Sequence, residues 1–343
     1  MLNIKALQAL NGDCIIVSYG EEENHNIVID GGQGKACFKQ LRTYIDSVKN
    51  AGSKIDLLIL THIDSDHIAG ILRILSQKTF DFSIIEEMWF NFGKGLQDMI
   101  GINGENNKVS LYDDGSEVSW KQGTDLEEKI QEEGIKRRVV TRLEKFYVGG
   151  AAITILSPSV DVLKKISEQN KREEEDTAKI AYRSDYQQSI IELNQKKQER
   201  NVSLANKSSI ACLFEFKGKR ILLLGDADPQ EIVRSITELG YSKNSKLIVD
   251  FCKISHHASK HNTTNELIQI LDCSNYIVST HQTTNGRPSK ECLSRIICNS
   301  EKPIRFYCNY ELDWNKIFTK EEFLKYNMKF IVLDPQGIDV GEE

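Results

Sequence analysis

A near-continuous apolar run, Ile55-Asp56-Leu57-Leu58-Ile59-Leu60, passes straight into Thr61-His62-Ile63-Asp64-Ser65-Asp66-His67, and a helical pattern follows from Ile68 to about Ser76. A run of strand length with so little polar relief is the pattern of a strand covered on both faces. In such a sheet the loops that follow the strands are where ligands gather. Four potential metal ligands, His62, Asp64, Asp66 and His67, lie within six residues on this loop. A loop that turns back on itself can bring them to one point, and mixed imidazole and carboxylate donors suit zinc, manganese or iron. The competing reading is a polar loop whose aspartates cap the helix. A lone His-x-Asp would favour capping; four ligands, with more in distant loops, favour a metal.

The distant candidates also follow strands. Leu222-Leu223-Leu224-Gly225 leads to Asp226, and Phe251-Cys252-Lys253-Ile254 leads to Ser255-His256-His257. Five of the seven histidines, His62, His67, His256, His257 and His261, stand in or near such loops. Two opening apolar runs, Cys14-Ile15-Ile16-Val17 and Ile27-Val28-Ile29, end at Asp30-Gly31-Gly32, before a helix predicted from about Ala36 to Lys49. Residues 209–224 read as a hairpin turning at Lys217-Gly218. A helix follows from about Pro229 to Leu239, with proline in its first turn. Further strands are predicted over Ile84 to Asn91, Leu247 to Ile254, Tyr276 to Ser279, Ile304 to Cys308 and Met328 to Leu333. A helix capped by Ser289 is predicted from about Lys290 to Cys298. This is an α/β order of elements.

The 343 residues suffice for one large domain or two ordinary ones. The expectation is one domain over 1–343 with insertions near 93–135 and 160–200. The first is rich in Gly, Asn, Asp and Glu and reads as loop with one helix. The second is dominated by Lys, Glu, Gln and Asp, and reads as a solvated helix or mobile insertion, with a protein-partner surface as the lesser reading. Forty-four Lys+Arg against 50 Asp+Glu leave a net charge of -6. That argues against coating nucleic acid through bulk charge. It leaves room for a nuclease whose metal ions supply local positive charge. No zinc finger, RNP motif or basic cluster is present. The eight cysteines form no C-x-x-C pair and read as buried thiols of a reducing cytoplasm. No apolar run approaches the ~18–20 residues of a membrane span, and the N-terminus does not read as a signal peptide. The expected location is therefore cytoplasmic, without membrane contact.

T-H-x-D-x-D-H before a small-residue helix start resembles the H-x-H-x-D-H signature of the metallo-β-lactamase fold. Asn11-Gly12-Asp13 before one strand and Ile29-Asp30-Gly31-Gly32 after the next are similar to that family's opening hairpin. Asn206-Lys207-Ser208-Ser209, then Gly225-Asp226, then Lys253-Ile254-Ser255-His256-His257-Ala258-Ser259 resemble, in order, the branch typified by the soluble domain of the DNA-uptake protein ComEC. The resemblance implies an αββα sandwich and two divalent ions, Zn2+ or Mn2+. It implies His62 and Asp64 on one metal, Asp66 and His67 on the second, and Asp226 bridging. His256 would join the second metal, with His257 as the competing assignment. Asp30 would be a buried structural acid that bonds the loop.

Three departures stand out. Asp64 replaces the family's second motif histidine, and a harder donor favours manganese or another oxygen-friendly ion. No histidine lies between His67 and His256, so Asn206 or a water is expected where the family places one about twenty residues before the bridging aspartate. Gly286-Arg287-Pro288 stands where the branch often has G-H-P; Arg287 cannot ligate but can hold a phosphate or carboxylate, and His281 is the candidate substitute.

The expected chemistry is metal-assisted hydrolysis by an activated water, with Asp66 and Asp226 as catalytic residues. Lys260, Asn285 and Arg287 are candidate helpers at the oxyanion, and with Asn206 they form the candidate substrate-binding set. A phosphodiester, nucleic acid included, is the leading substrate. The rivals are hydrolysis of a non-phosphate ester, lactone or peptide bond, and a degenerate metal-binding protein acting on a partner through its charged insertion.

Overall fold

Successive residues of a strand point to opposite faces. Here both faces are apolar, so each sheet must be covered twice. The computed structural model describes residues 1–101, 116–168, 184–198, 201–281 and 286–341. Its strands are β1 (Leu2–Ala6), β2 (Ile15–Tyr19), β3 (His25–Ile29), β4 (Leu57–Leu60), β5 (Met88–Phe90), β6 (Arg137–Arg138), β7 (Lys145–Val148), β8 (Ala151–Ser157), β9 (Ala211–Phe216), β10 (Lys219–Leu223), β11 (Leu247–Ile248), β12 (Phe251–Lys253), β13 (Leu271–Asp272), β14 (Asn275–Val278), β15 (Ile304–Cys308), β16 (Met328–Val332) and β17 (Ile338–Asp339). Its helices are α1 (Lys35–Asn50), α2 (Ser65–Leu75), α3 (Gly93–Ile100), α4 (Ser116–Glu132), α5 (Val160–Glu168), α6 (Ile190–Gln195), α7 (Leu204–Lys207), α8 (Pro229–Glu238), α9 (Asn265–Gln269), α10 (Lys290–Asn299) and α11 (Lys320–Lys325).

One sheet runs β17-β1-β2-β3-β4-β5-β6, the other β16-β15-β14-β12-β10-β9-β8-β7. Alternation then sorts the core. Leu57 and Ile59 of β4 meet Ile221 and Leu223 of β10, Phe251 of β12 and Ile277 of β14 in the cluster between the sheets. Leu58 and Leu60 turn the other way, onto Leu41 and Ile45 of α1 and Ile68 and Ile71 of α2. Leu222, Cys252, Tyr276 and Val278 likewise face Ile232 of α8, Leu267 of α9 and Leu293 of α10. The result is four layers, helices–sheet–sheet–helices, as the α/β sandwich expectation required.

β3, β4, β5 and β6 are parallel neighbours, as are β10, β12, β14, β15 and β16. Asp30, the 61–67 loop, Asp226, the His256-His257 pair and Ser279 all follow the C-terminal ends of these parallel strands. The topology thus delivers the sequence candidates to one edge of the sandwich.

Three expectations need correction. Leu247 to Ile254 is not one strand. Asp250 accepts from the Arg220 main-chain N–H at 2.8 Å, the chain bends there, and β11 leaves to pair with β13. The strand expected over Ile84 to Asn91 is shortened to β5, because a short turn at Phe82–Ile84, capped by Asp81, uses its start. The 93–135 region holds two helices, α3 and α4, rather than one, with 102–115 outside the described residues. In the 160–200 insertion, α5 and α6 are described, and α6 buries Ile190 and Leu193 beside α10. All eight cysteines are free thiols, seven of them buried. Among the described residues no helix is long and apolar enough to cross a membrane.

Helix α2 meets the 30–32 loop backbone to backbone. The Gly31 N–H donates to His67 O at 2.8 Å and the Gly70 N–H to Gly32 O at 3.0 Å. A Cβ on Gly70 would stand 1.9 Å from Gly31 O. Gly70→Ala must therefore push α2 off the loop. Overpacking of this kind destabilises by about 1–3 kcal/mol. The expected result is a lower urea midpoint at unchanged slope; an unchanged midpoint would show that α2 has slack that this packing denies.

Candidate metal centre

Asp64 occupies the N-cap position of α2, yet its side chain makes no cap hydrogen bond. Its Oδ2 lies instead 3.4 Å from Nε2 of His62. Asp228 shows the contrast: its carboxylate caps α8 by accepting from the Gln230 N–H. Capping therefore does not account for Asp64.

At the centre is Asp226, 2% exposed. Four imidazoles turn Nε2 toward its Oδ2: His67 and His256 at 3.5 Å, His257 at 3.8 Å and His62 at 3.9 Å. Asp66 Oδ2 lies 3.4 Å from His257 Nε2 and 3.8 Å from His67 Nε2. The Asp226 main chain is held by the Ser209 hydroxyl, which accepts its N–H at 3.0 Å. This is what Ser209 of the Asn206-to-Ser209 motif does.

Each ring is pinned on its other nitrogen. His67 Nδ1 meets Asp30 Oδ2 at 2.8 Å, and His257 Nδ1 meets the Ser279 carbonyl at 2.9 Å. His62 Nδ1 lies 3.0 Å from Thr61 Oγ1, whose own proton goes to Asp30 Oδ2, so the hydroxyl accepts from the ring. His256 Nδ1 meets Asn262 Oδ1 at 2.9 Å. Asn262 Nδ2 donates to the carbonyls of Asp226 and Ala227, which fixes its amide and leaves Oδ1 as an acceptor. Each Nδ1 thus has an acceptor beside it, which favours the tautomer that carries the proton there and turns Nε2 to the centre. Nε2 of His62, His67 and His257 and Oδ1 of Asp226 are buried without a hydrogen-bond partner. Bare acceptors turned on an anionic oxygen repel one another unless a cation or added protons lie among them, and a set of imidazole and carboxylate donors fits metal ions.

The titration directions show how strongly the carboxylates call for positive charge here. Burial works against charge on His67, but Asp226, Asp30 and Asp66 together outweigh it and shift the ring upward. His257 is shifted upward in the same way, by Asp226 and Asp13 against burial. Burial, aided by the Arg287 guanidinium and opposed by Asp226, holds His256 down at about 3. Burial pushes Asp226 and Asp66 up, yet the histidines around them win and both stay below the usual carboxylate range.

The remaining candidates fall as follows. Asp30 is fully buried and bonds Thr61 N, Thr61 Oγ1 and His67, the structural role expected of it. Asn206 lies 3.3 Å from His256 Nδ1, behind that ring rather than in the place of the missing histidine. Arg287 is half-buried near His256. Lys260 is tied through its main-chain carbonyl, which accepts from Arg295 at 2.6 Å. Asn285 lies outside the described residues. His281 bonds Asn11 Oδ1 through Nδ1 at 2.9 Å. His256 and His257 both reach Asp226, and His257 also lies beside Asp66.

Asp13, Lys253 and Asn262 were not singled out from the sequence. Asp13 and Lys253 lay inside quoted motifs without a role; Asn262 carried no signal. Donor atoms of Asp13, His67, Asp226 and His257 all lie within 4.8 Å of one another. Asp13 nevertheless meets His257 on the Nδ1 side and is bonded by Lys253, so it stands behind the centre.

A layered α/β sandwich with carboxylates and imidazoles gathered at its strand ends defines an α/β protein with a candidate metal centre. Residues 7–138 match the model of the metallo-beta-lactamase superfamily. Among solved structures it is similar to the metallo-beta-lactamase fold protein YhfI of Bacillus subtilis, at 11% identity, with 98% of each chain covered and a TM-score of 0.43. It is also similar to CmlA, a diiron beta-hydroxylase of Streptomyces venezuelae, at 12% identity, over 96% of this chain and 52% of that one, with a TM-score of 0.39. No curated protein matches the chain.

Ligands must shed protons before they bind a cation. The upward-shifted His67 and His257 gain protons as pH falls through their raised pKa values. Zinc affinity, measured by chelator competition, is therefore expected to be tighter at pH 8 than at pH 6, with proton release on binding. An affinity that does not change between them would count against these rings as ligands.

Proposed function

We propose that the chain is a metal-dependent hydrolase that holds two divalent cations, Zn2+ or Mn2+, and cleaves a phosphodiester. The observation that carries the reading is the one buried oxygen, Asp226 Oδ2, faced by the Nε2 atoms of four imidazoles. On this reading the donors would form two groups. Asp66, His67 and His257 meet one another around Asp226, which leaves His62, Asp64 and His256 as the other group. Asp226 belongs to both and would bridge. His256 then takes the place of the histidine that the ordered motif lacks.

Two divalent ions in such a site activate a water and polarise the bond to be broken. The protein's own part is orientation. Asp66 is partly exposed, and its depressed pKa suits it to accept a hydrogen bond from the attacking water rather than to keep a proton. The Arg287 guanidinium acts electrostatically on His256 and would be the group to meet a phosphate oxygen. The substrate class rests on Arg287 together with the ordered resemblance to the ComEC-like branch, and nucleic acid is its leading member. Asn206, Lys260 and Asn285 stay as proposed substrate contacts on their sequence positions.

The test is turnover of bis(p-nitrophenyl) phosphate by wild type and Asp226→Ala, each supplied with zinc or manganese. Wild-type turnover is expected, falling to background in the variant. A folded, metal-loaded wild type that cleaves nothing would remove the phosphodiester reading. A panel of lactones, thioesters and peptides then separates another hydrolase from an inert metal-binding partner.

A further inference from the structure

Lys253 is 1% exposed and stands on the β12 face that fills the space between the sheets, where Phe251, two residues earlier, belongs to the apolar core. The pattern calls for an apolar residue there, and an ammonium in such a place is costly unless paired. Its Nζ donates to the Asp13 carboxylate and, at 3.3 Å, to the Gly225 carbonyl. Asp13, also 1% exposed, places its other oxygen 3.4 Å from Nδ1 of His257. One ammonium thus joins the loop before β2, the strand end that carries Asp226 and the strand end that carries His257. Stability alone does not explain the pair, because apolar replacement of both members of a buried ion pair is often neutral or stabilising.

We propose that Lys253 and Asp13 are positioning residues for His257. The ammonium fixes the Asp13 carboxylate. That carboxylate lies beside the Nδ1–H that donates to Ser279 O, and so holds the ring with Nε2 bare and electron-rich toward Asp66 and Asp226. The inference rests on the metal reading above and adds that one of the two binding steps depends on a charge pair behind the ligand. Outer partners of this kind typically contribute ~10–100-fold to metal affinity.

Metal-stripped full-length protein is titrated with zinc against a chromophoric chelator. Wild type is expected to show two steps. Asp13→Asn is expected to weaken one of them ~10–100-fold and spare the other. The double variant Asp13→Asn/Lys253→Met removes both buried charges together; it is expected to fold even where the single variant does not, and to show the same loss. Histidine 15N shifts of the metal-free protein, at a pH where the ring is neutral, give a readout that a purely structural role leaves alone. His257 is expected to be Nδ1-protonated in wild type and a tautomer mixture in the double variant. A folded double variant with wild-type affinity at both steps and an unchanged tautomer overturns the inference. Wild type that takes up no zinc overturns the metal reading and this inference with it, an outcome no variant can mimic.

Discussion

The buried carboxylate of Asp226 is the constraint around which the sandwich edge is organised. A carboxylate at 2% exposure has lost most of its hydration and must be compensated by nearby positive charge or by protons. Its neighbours are four imidazoles whose other nitrogens are already committed. Without a cation, protons on His67 and His257 supply the compensation, which is why those rings shift upward. Asp30, Asp64 and Asp66 add negative charge nearby, so the centre as a whole favours cations over neutral ligands.

Precision at that centre comes from elements far apart in the chain. Asp30 follows β3 and holds both Thr61 and His67, so the 61–67 loop is set by a neighbouring parallel strand. Gly12 packs against the main chain of Asp66, where a Cβ would stand 1.8 Å from the Asp66 carbonyl oxygen. Ser209, Asn262 and Ser279 bring in three further segments. The C-terminal ends of the parallel strands come together at this edge, and Gly12 and Ser209 reach it at the starts of the antiparallel strands β2 and β9.

The layers and most of the cluster were legible in the sequence because both follow from local pattern. Leu57 to Leu60 reads as a two-faced strand, and Lys217-Gly218 as a hairpin turn, from nearest neighbours alone. The ligand-rich loop after β4 is equally local. What stayed hidden depends on long-range contacts. The bend at Asp250 needs the main chain of Arg220. The role of Asn262 needs two carbonyls that only the folded chain presents. Lys253 looks like one more polar residue until its parity on β12 turns it into the inter-sheet core. The pairing of His257 with Asp66 depends on a backbone conformation that no pattern of side chains announces.

That conformation is the turn His256-His257-Ala258, with φ of 48°, 55° and 62° at three successive non-glycine residues. Left-handed backbone costs about 1–2 kcal/mol per such residue. An extended chain would send two adjacent imidazoles to opposite faces. The left-handed turn lets both reach one oxygen, their planes 72° apart. The fold holds the turn from outside: His256 N–H donates to Gly225 O, Ser259 N–H to His256 O and Ser289 N–H to Ala258 O. Strain maintained by three such bonds is characteristic of functional sites. Under the proposed reading it has a definite purpose. A chain with no histidine between positions 67 and 256 still surrounds its central carboxylate with four imidazoles, because one strained turn supplies two of them.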